Sequence, residues 1–444
     1  MAGAVTVATF AAPQARAQGL PLIRDTEIEN LLRDYSRPIF RAAGLDRQRI
    51  RMRIVRADNF NAFVADGRNV FINTGTLVQS NTPNQVIGVI AHETGHIAGS
   101  HLANLRQRIA RDQTRSLLLR ILGIGLMVAG GAAGNEDLGG AGRGVTAGGD
   151  ALLLRSLLQH RRWQESAADQ AALGYLERTG QSGLGMLQTF KRFADQELAT
   201  LDGRFQDPFM RSHPAPRARI ARLTRAVRAS RFYKRRDPPQ LLLRHNLMRA
   251  KIRGYIDPPY ATLNLYRGKQ TLPARYGRAI AHYFSGNLRR AVQEADKLIA
   301  AQPKNPFFHE VKGDFYLRSG QYALAIPSLE RAYKLSKRAT LIGIKLGKAL
   351  QASNRGPKAT KRAVRLIERA ILVDPYPEGF RILATAFYRA GRLPEAFLAQ
   401  AQAEFRSGNL KGAKRFARRA IVKFRRGSPK WLKADDIIKY RPRG

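Results

Sequence analysis

His92, Glu93, Thr94, Gly95 and His96 form an H-E-x-x-H pentad. On a helix, His92 and His96 stand one turn apart on one face, so both imidazoles can reach a single metal ion. Glu93 projects beside them, where it can take a proton from a water that the metal activates. The apolar run Val86 to Ala91 precedes the pentad and puts it on a largely buried helix rather than a solvated one. A catalytic zinc ion takes three protein ligands and keeps one position open, so the third ligand has to come from elsewhere in the chain.

Two candidates compete for that place. A third histidine six residues past His96 would fall at position 102, which is Leu102, while the nearby His101 points off the metal-binding face. The other candidate is Glu165, in the run Glu165-Ser166-Ala167-Ala168-Asp169. Ala167, Ala168, Ala171 and Ala172 would let that helix pack tightly against the first. Glu165 and Asp169 share a helix face at i, i+4. Glu165 would bind zinc, and Asp169 would accept a hydrogen bond from a ligand imidazole and fix its tautomer.

The elements that must position these groups can be read on either side. Ile28, Leu31, Leu32, Tyr35, Ile39 and Phe40 recur at helical spacing within 25–44. Residues 50–78 read as strands, with a tight turn at Asp66-Gly67. Thr82-Pro83 starts a helix expected to run past His101. Residues 117–149 are apolar and then Gly-rich. They read as a mobile or membrane-touching loop or as a buried helical hairpin, too short to span a bilayer. A further helix is expected over 151–178.

Past Pro238-Pro239 the pattern changes. A Gly followed five residues later by Ala recurs at Gly286/Ala291, Gly320/Ala325, Gly391/Ala396 and Gly408/Ala413. Leu298, Ala332, Ala403 and Ala420 fall seven residues beyond the second member of each pair, and Gly313 and Gly347 keep the spacing of the first two glycines. That period, with small residues where helices touch, resembles the tetratricopeptide (TPR) repeat. Extra residues near Arg355 to Lys358 push Ala363 and Ala370 out of phase. The expected organisation is a mainly α chain in three parts. Residues 1–17 read as a signal peptide or its remnant, on the Ala15-Arg16-Ala17 pattern. Residues 18–237 form a zincin-like metallopeptidase domain of helices with a small sheet. Residues 238–444 form an α-helical TPR solenoid.

Composition narrows the classes. The 444 residues include no cysteine, which excludes disulfides, all-cysteine zinc sites and thiol nucleophiles. With 44% hydrophobic residues the chain can bury real cores. Its formal charge is +44, and residues 238–444 hold 43 basic against 13 acidic side chains. Such a field attracts nucleic acid, anionic lipid or acidic protein surfaces. No stacking platform, helix-turn-helix signature or zinc finger accompanies it, so no specific nucleic acid is expected.

His92, Glu93 and His96, with Glu165 and Asp169 as an E-x-x-x-D element, resemble the HtpX- and BepA-type zinc metallopeptidases, a gluzincin family. Asn61-Ala62-Phe63 with the strand at Asn69 to Thr74 resembles that family's substrate-edge segment. Ser212-His213-Pro214 with Arg217 resembles its S/T-H-P element. The resemblance covers roughly residues 25–225, and the added repeats and export signal point to its periplasmic branch. It implies a protease with one zinc ion per chain, held by His92, His96 and Glu165, that acts on unfolded or misassembled outer-membrane proteins with chaperone-like behaviour. It implies that His213 can sit on the zinc and hold the enzyme at rest, and a displaced His213, or Arg217, would stabilise the oxyanion. The repeats would meet the outer-membrane assembly machinery, and their basic faces an acidic partner or an anionic membrane surface. The rival expectation is a TPR-based adaptor whose zinc site is resting or regulatory.

Overall fold

The computed structural model describes residues 20–65, 67–100, 159, 162–199, 213 and 217–442. The expected signal segment over 1–17, Asp66, His101, Leu102, the Gly-rich stretch over 117–149, Ser212 and Pro214 lie outside the described residues. Among the described residues helices dominate, with one small sheet near the start.

That sheet holds β1 (Leu22–Ile23), β2 (Arg51–Val55), β3 (Ala62–Ala65) and β4 (Asn69–Asn73) in the order β1-β2-β4-β3. β2 and β4 run parallel, with Arg51 opposite Asn69 and Val55 opposite Asn73, and the outer pairings are antiparallel. β3 is therefore an edge of the described sheet. α1 (Thr26–Ala42) starts at Asp25, whose carboxylate accepts from the Ile28 amide at 3.0 Å, and it buries the apolar stripe from Ile28 to Phe40.

The extended stretch is shorter than the sequence suggests, because residues 74–79 form a helix, α2 (Thr74–Gln79). Its threonines, β-branched and strand-like in isolation, spend their hydroxyls on a neighbouring loop. Thr74 Oγ1 donates to the Ala57 carbonyl at 2.9 Å, and Thr76 Oγ1 donates to that of Asn61 at 2.7 Å. A side chain at Gly75 would collide with the Asp58 carbonyl, so only glycine permits this closeness.

α3 (Pro83–Ala98) carries the pentad and buries Val86, Val89, Ile90, His92 and Glu93. It ends before His101, at Gly99 followed by Ser100 in a left-handed conformation (φ 51°). α4 (162–178) and α5 (Leu184–Ala199) pack against it, and α6 (Arg217–Ala229) packs on α5. Two glycines of α3 set its distance from its neighbours. A Cβ on Gly88 would lie 2.6 Å from the Met186 Cβ on α5, and one on Gly95 would lie 2.7 Å from the Ala168 carbonyl oxygen on α4.

α7 (Pro239–Ile256) and the short α8 (Pro259–Leu265) lead into antiparallel helix pairs. The pairs are α9 (Leu272–Phe284) with α10 (Leu288–Ala301), α11 (Pro306–Arg318) with α12 (Tyr322–Leu335), α13 (Thr340–Ala352) with α14 (Pro357–Val373), α15 (Pro377–Arg389) with α16 (Leu393–Arg406), and α17 (Leu410–Ile421) with α18 (Pro429–Lys439). Gly286, Gly320, Gly391 and Gly408 follow α9, α11, α15 and α16 at positive φ, where the chain reverses. Ala291, Ala325, Ala396 and Ala413 are buried where the helices touch, as are Leu298, Ala332, Ala403 and Ala420. In the out-of-phase repeat, Asn354 and Gly356 take the positive-φ places, and Ala363 and Ala370 are still buried.

α7 belongs to both halves. Its Met248 and Ile252 pack into the core under the sheet, and its Leu247 packs into the first repeat core. His245 on α7 is fully buried, with Nδ1 3.0 Å from the Tyr35 hydroxyl and Nε2 2.9 Å from the Ser80 carbonyl oxygen. Lys251, also buried, sits 2.7 Å from Asp25 and 3.1 Å from Glu27 at the start of α1. A cut at Pro238 would therefore uncover the first core rather than pass between two finished ones.

The contact of α3 with α4 generates a paired prediction. Gly95→Ala should push the two helices apart and cost about 1–3 kcal/mol, the usual penalty for overfilling a packed core. Gly174→Ala on α4 meets nothing within 4 Å, and should be neutral or stabilising by up to about 1 kcal/mol. Thermal melts of both variants, with metal content measured on the same samples, check the pair. Only Gly95→Ala should lose metal.

Candidate metal centre

Four side chains from three parts of the chain converge at one face of α3. His92 and His96 come from α3, Glu165 from α4, and His213 from the residues before α6. One ligand atom of each lies within 4.8 Å of the others. His92 Nε2 is 3.1 Å from His96 Nε2, 3.2 Å from His213 Nδ1 and 3.3 Å from Glu165 Oε2. His213 Nδ1 lies 3.1 Å from both carboxylate oxygens of Glu165, and His96 Nε2 lies 3.4 Å from its Oε1. His92, Glu165 and His213 are buried, and His96 is partly exposed.

Asp169 stands on the other side of His92, with Oδ1 3.1 Å from Nδ1. A carboxylate there favours a proton on Nδ1, which turns the Nε2 lone pair toward the cluster. Asp169 is itself held by Arg219 on α6. Nε donates to Oδ2 at 2.6 Å and Nη2 donates to Oδ1 at 2.8 Å, a two-pronged pair. Arg219 Nη1 also reaches Glu165 at 3.2 Å and the His213 carbonyl oxygen at 3.3 Å. Its guanidinium lies over Phe190 of α5, whose ring meets His92 edge-on.

These neighbours set the charges. Burial opposes charge on His92, but the Asp169 and Glu165 carboxylates outweigh it and raise the pKa to about 9. Burial lowers His96 and His213, which favours the neutral, ligating form of both rings. Burial also opposes charge on Glu165 and Asp169. His213 and the other rings nevertheless hold Glu165 well below its ordinary range, and Arg219, with His92, lowers Asp169. Glu93 is raised to about 7, chiefly by burial, against the pull of His96 and His92. Its Oε1 is buried without a hydrogen bond among the described residues and lies 3.4 Å from His213 Nε2.

Imidazole nitrogens and one carboxylate facing a common point repel or trap a proton unless a cation lies between them. The donor set of ring nitrogens and one carboxylate oxygen fits a metal ion, which would compete with a proton for His92. The structure thus brings together His92, Glu93, His96, Glu165, Asp169 and His213. It does not bring Arg217, which is exposed on the first turn of α6. Arg219 takes the place at the cluster, and the sequence reading missed it. A signal for it existed: Arg219 shares one helical stripe with Leu223 and Val227, the buried face of α6.

Two stretches of the chain match known protein families. Residues 23–227 match the model for peptidase family M48, and residues 276–339 and 344–409 match a tetratricopeptide repeat model. The beta-barrel assembly-enhancing protease of Yersinia pestis is 24% identical over 413 residues, covering 90% of this chain and 80% of that protein. The beta-barrel assembly-enhancing protease of Escherichia coli (strain K12) is 25% identical over 328 residues, covering 71% of this chain and 63% of that one. A solved structure titled MamA MSR-1 C2 is 21% identical and covers 39% of this chain and 98% of its own, at a TM-score of 0.31.

Arg219→Ala should leave two buried carboxylates without their cation and lower metal affinity about 10- to 100-fold. Arg217→Ala should leave affinity unchanged. Competition with a chromogenic chelator separates the two.

Proposed function

From a family M48 metallopeptidase domain joined to tetratricopeptide repeats, we infer that this chain is a zinc-dependent endopeptidase. It works in the periplasm on misfolded or stalled outer-membrane proteins and has a chaperone-like part in their assembly. The observation that carries this reading is the convergence of His92, His96 and Glu165, with the buried Glu93 carboxylate beside them. The names of the relatives support the outer-membrane setting.

His92, His96 and Glu165 would hold the zinc ion, which when bound activates water and polarises a peptide carbonyl. Glu93, raised toward neutral pH by burial, takes the proton from the attacking water and returns it to the leaving amine. Asp169 orients His92, and Arg219 holds Asp169. Arg219 is committed to two carboxylates, which leaves a displaced His213, whose Nε2 faces Glu93, as the candidate for the oxyanion role. Substrate backbone would add alongside the edge strand β3, which makes side-chain selectivity weak. The repeats would recruit the assembly machinery and its clients.

The place of His213 among the ligands favours a resting centre. With its Nδ1 at the common point it would fill the position that a catalytic site keeps open, so it must leave before substrate is cut.

Glu93→Gln should keep the metal and lose proteolysis of an unfolded substrate by about 100-fold or more. Full activity in this variant, with metal bound, overturns the peptidase reading. His213→Ala should keep the metal and raise basal cleavage or self-cleavage. If His213 also serves the oxyanion, kcat should fall instead. Wild-type metal spectra, using cobalt as the probe, together with wild-type kinetics would reduce the histidine to a loop residue.

A further inference from the structure

Outside the metal centre, the repeats carry a groove of about 830 Å³ between α12 and α14 whose charge is nearly all of one sign. Lys334, Lys337, Arg338, Arg365 and Arg369 line it without an ion-pair partner among the described residues. Its one acidic residue, Glu330, is taken by Arg362 at 2.6 Å.

Part of this charge has an ordinary account. Lys334, Lys337 and Arg338 lie at the C-terminal end of α12, where cations offset the helix dipole. That account does not extend to Arg365 and Arg369, which lie within α14 and face the same groove. Nor does it explain why Lys337 and Arg338 stand in succession at φ 53° and 66°, a conformation that glycine adopts far more readily.

The face continues into apolar side chains. Arg362, Arg365 and Arg369 follow one another at three- and four-residue spacing on α14, and Leu372 and Val373 extend the same face past the last arginine. These two are 80% and 72% exposed, among the most exposed large apolar residues described. Cations with long apolar stems beside bare aliphatic side chains match a lipid headgroup layer. Such a layer offers phosphates to the cations and, just beneath, hydrocarbon to the leucine and valine. A nucleic-acid backbone would meet only the cations, and no aromatic platform for bases lines the groove apart from the half-buried Tyr333.

We propose that the α12–α14 groove, together with Leu372 and Val373, docks this protein onto an anionic lipid surface. The site is separate from the metal centre and does not rest on the peptidase reading. Attraction through it is long-ranged and screened by salt, while the apolar pair acts only on contact.

The experiment is cosedimentation of the full chain with vesicles of phosphatidylcholine alone, or with about one-third phosphatidylglycerol. Wild type should bind the anionic vesicles and release them as salt rises. The double variant Arg365→Glu/Arg369→Glu should bind at least about tenfold more weakly, and Leu372→Ser/Val373→Ser should bind severalfold more weakly at the same salt. A control with the same charge change on α17, Arg415→Glu/Arg418→Glu, should bind as wild type. These side chains are all exposed, and melting temperature and metal content confirm folding for each variant. Equal loss in the α17 control would mean that net charge alone is responsible and would overturn the proposal. So would wild-type binding by the α14 variants, or binding of soluble polyglutamate without binding of vesicles, which would mark an acidic protein as the partner.

Discussion

The backbone of α3 touches that of α4 at Gly95, and the spacing of the metal centre follows from that contact. Glycine leaves room for Ala168 to sit where a side chain would otherwise project. At this separation Glu165, one turn before Ala168, reaches His92 and His96, and Asp169, one residue after it, reaches the far side of His92. A methyl group at Gly95 would move both carboxylates together, because they ride on one rigid helix. Gly88 repeats the device against Met186, so α3 is set between two close neighbours along its length.

Charge then organises what packing has brought together. Arg219, Asp169 and His92 form a chain in which each member fixes the next, and Arg219 also reaches Glu165. Burial makes every one of these charges costly alone, so the arrangement persists only as a set. Glu93 stands outside the chain, with no arginine beside it among the described residues. Burial raises all three carboxyl groups, but only at Glu93 does it prevail, since the rings and Arg219 pull Glu165 and Asp169 down, which separates a base from a ligand within a few ångströms.

The repeats are tied to the metallopeptidase half by burial and by ion pairs. α7 gives side chains to both cores, and Lys251 places its ammonium against the first turn of α1. A second tie closes the arc farther along, where Arg24 beside β1 pairs with Asp374 after α14 and stacks on Tyr376. Between these ties lies a cavity of about 1080 Å³, walled by β-sheet residues on one side and by α13 and α15 on the other. The repeats thus curl over the sheet rather than trailing from it.

Much of this was legible in the residues themselves. The pentad placed two imidazoles and a carboxyl group on one buried helix, because helical spacing alone decides which side chains share a face. The Gly and Ala period marked the helix pairs, since a reversal needs positive φ and a close contact needs a small side chain, and both demands are local. Which distant residues join a site is not local. The sequence offered Arg217, two residues from the one that matters. Only the packing of α6 against Phe190 and α4 turned Arg219 inward and left Arg217 in solvent. Likewise Thr74 and Thr76 favour a strand by their own branching, and it took hydrogen bonds to Ala57 and Asn61 to make them part of a helix. Proline at 238 and 239 marked a change of pattern, but whether a helix serves one core or two depends on what covers it. α7 is covered on both sides.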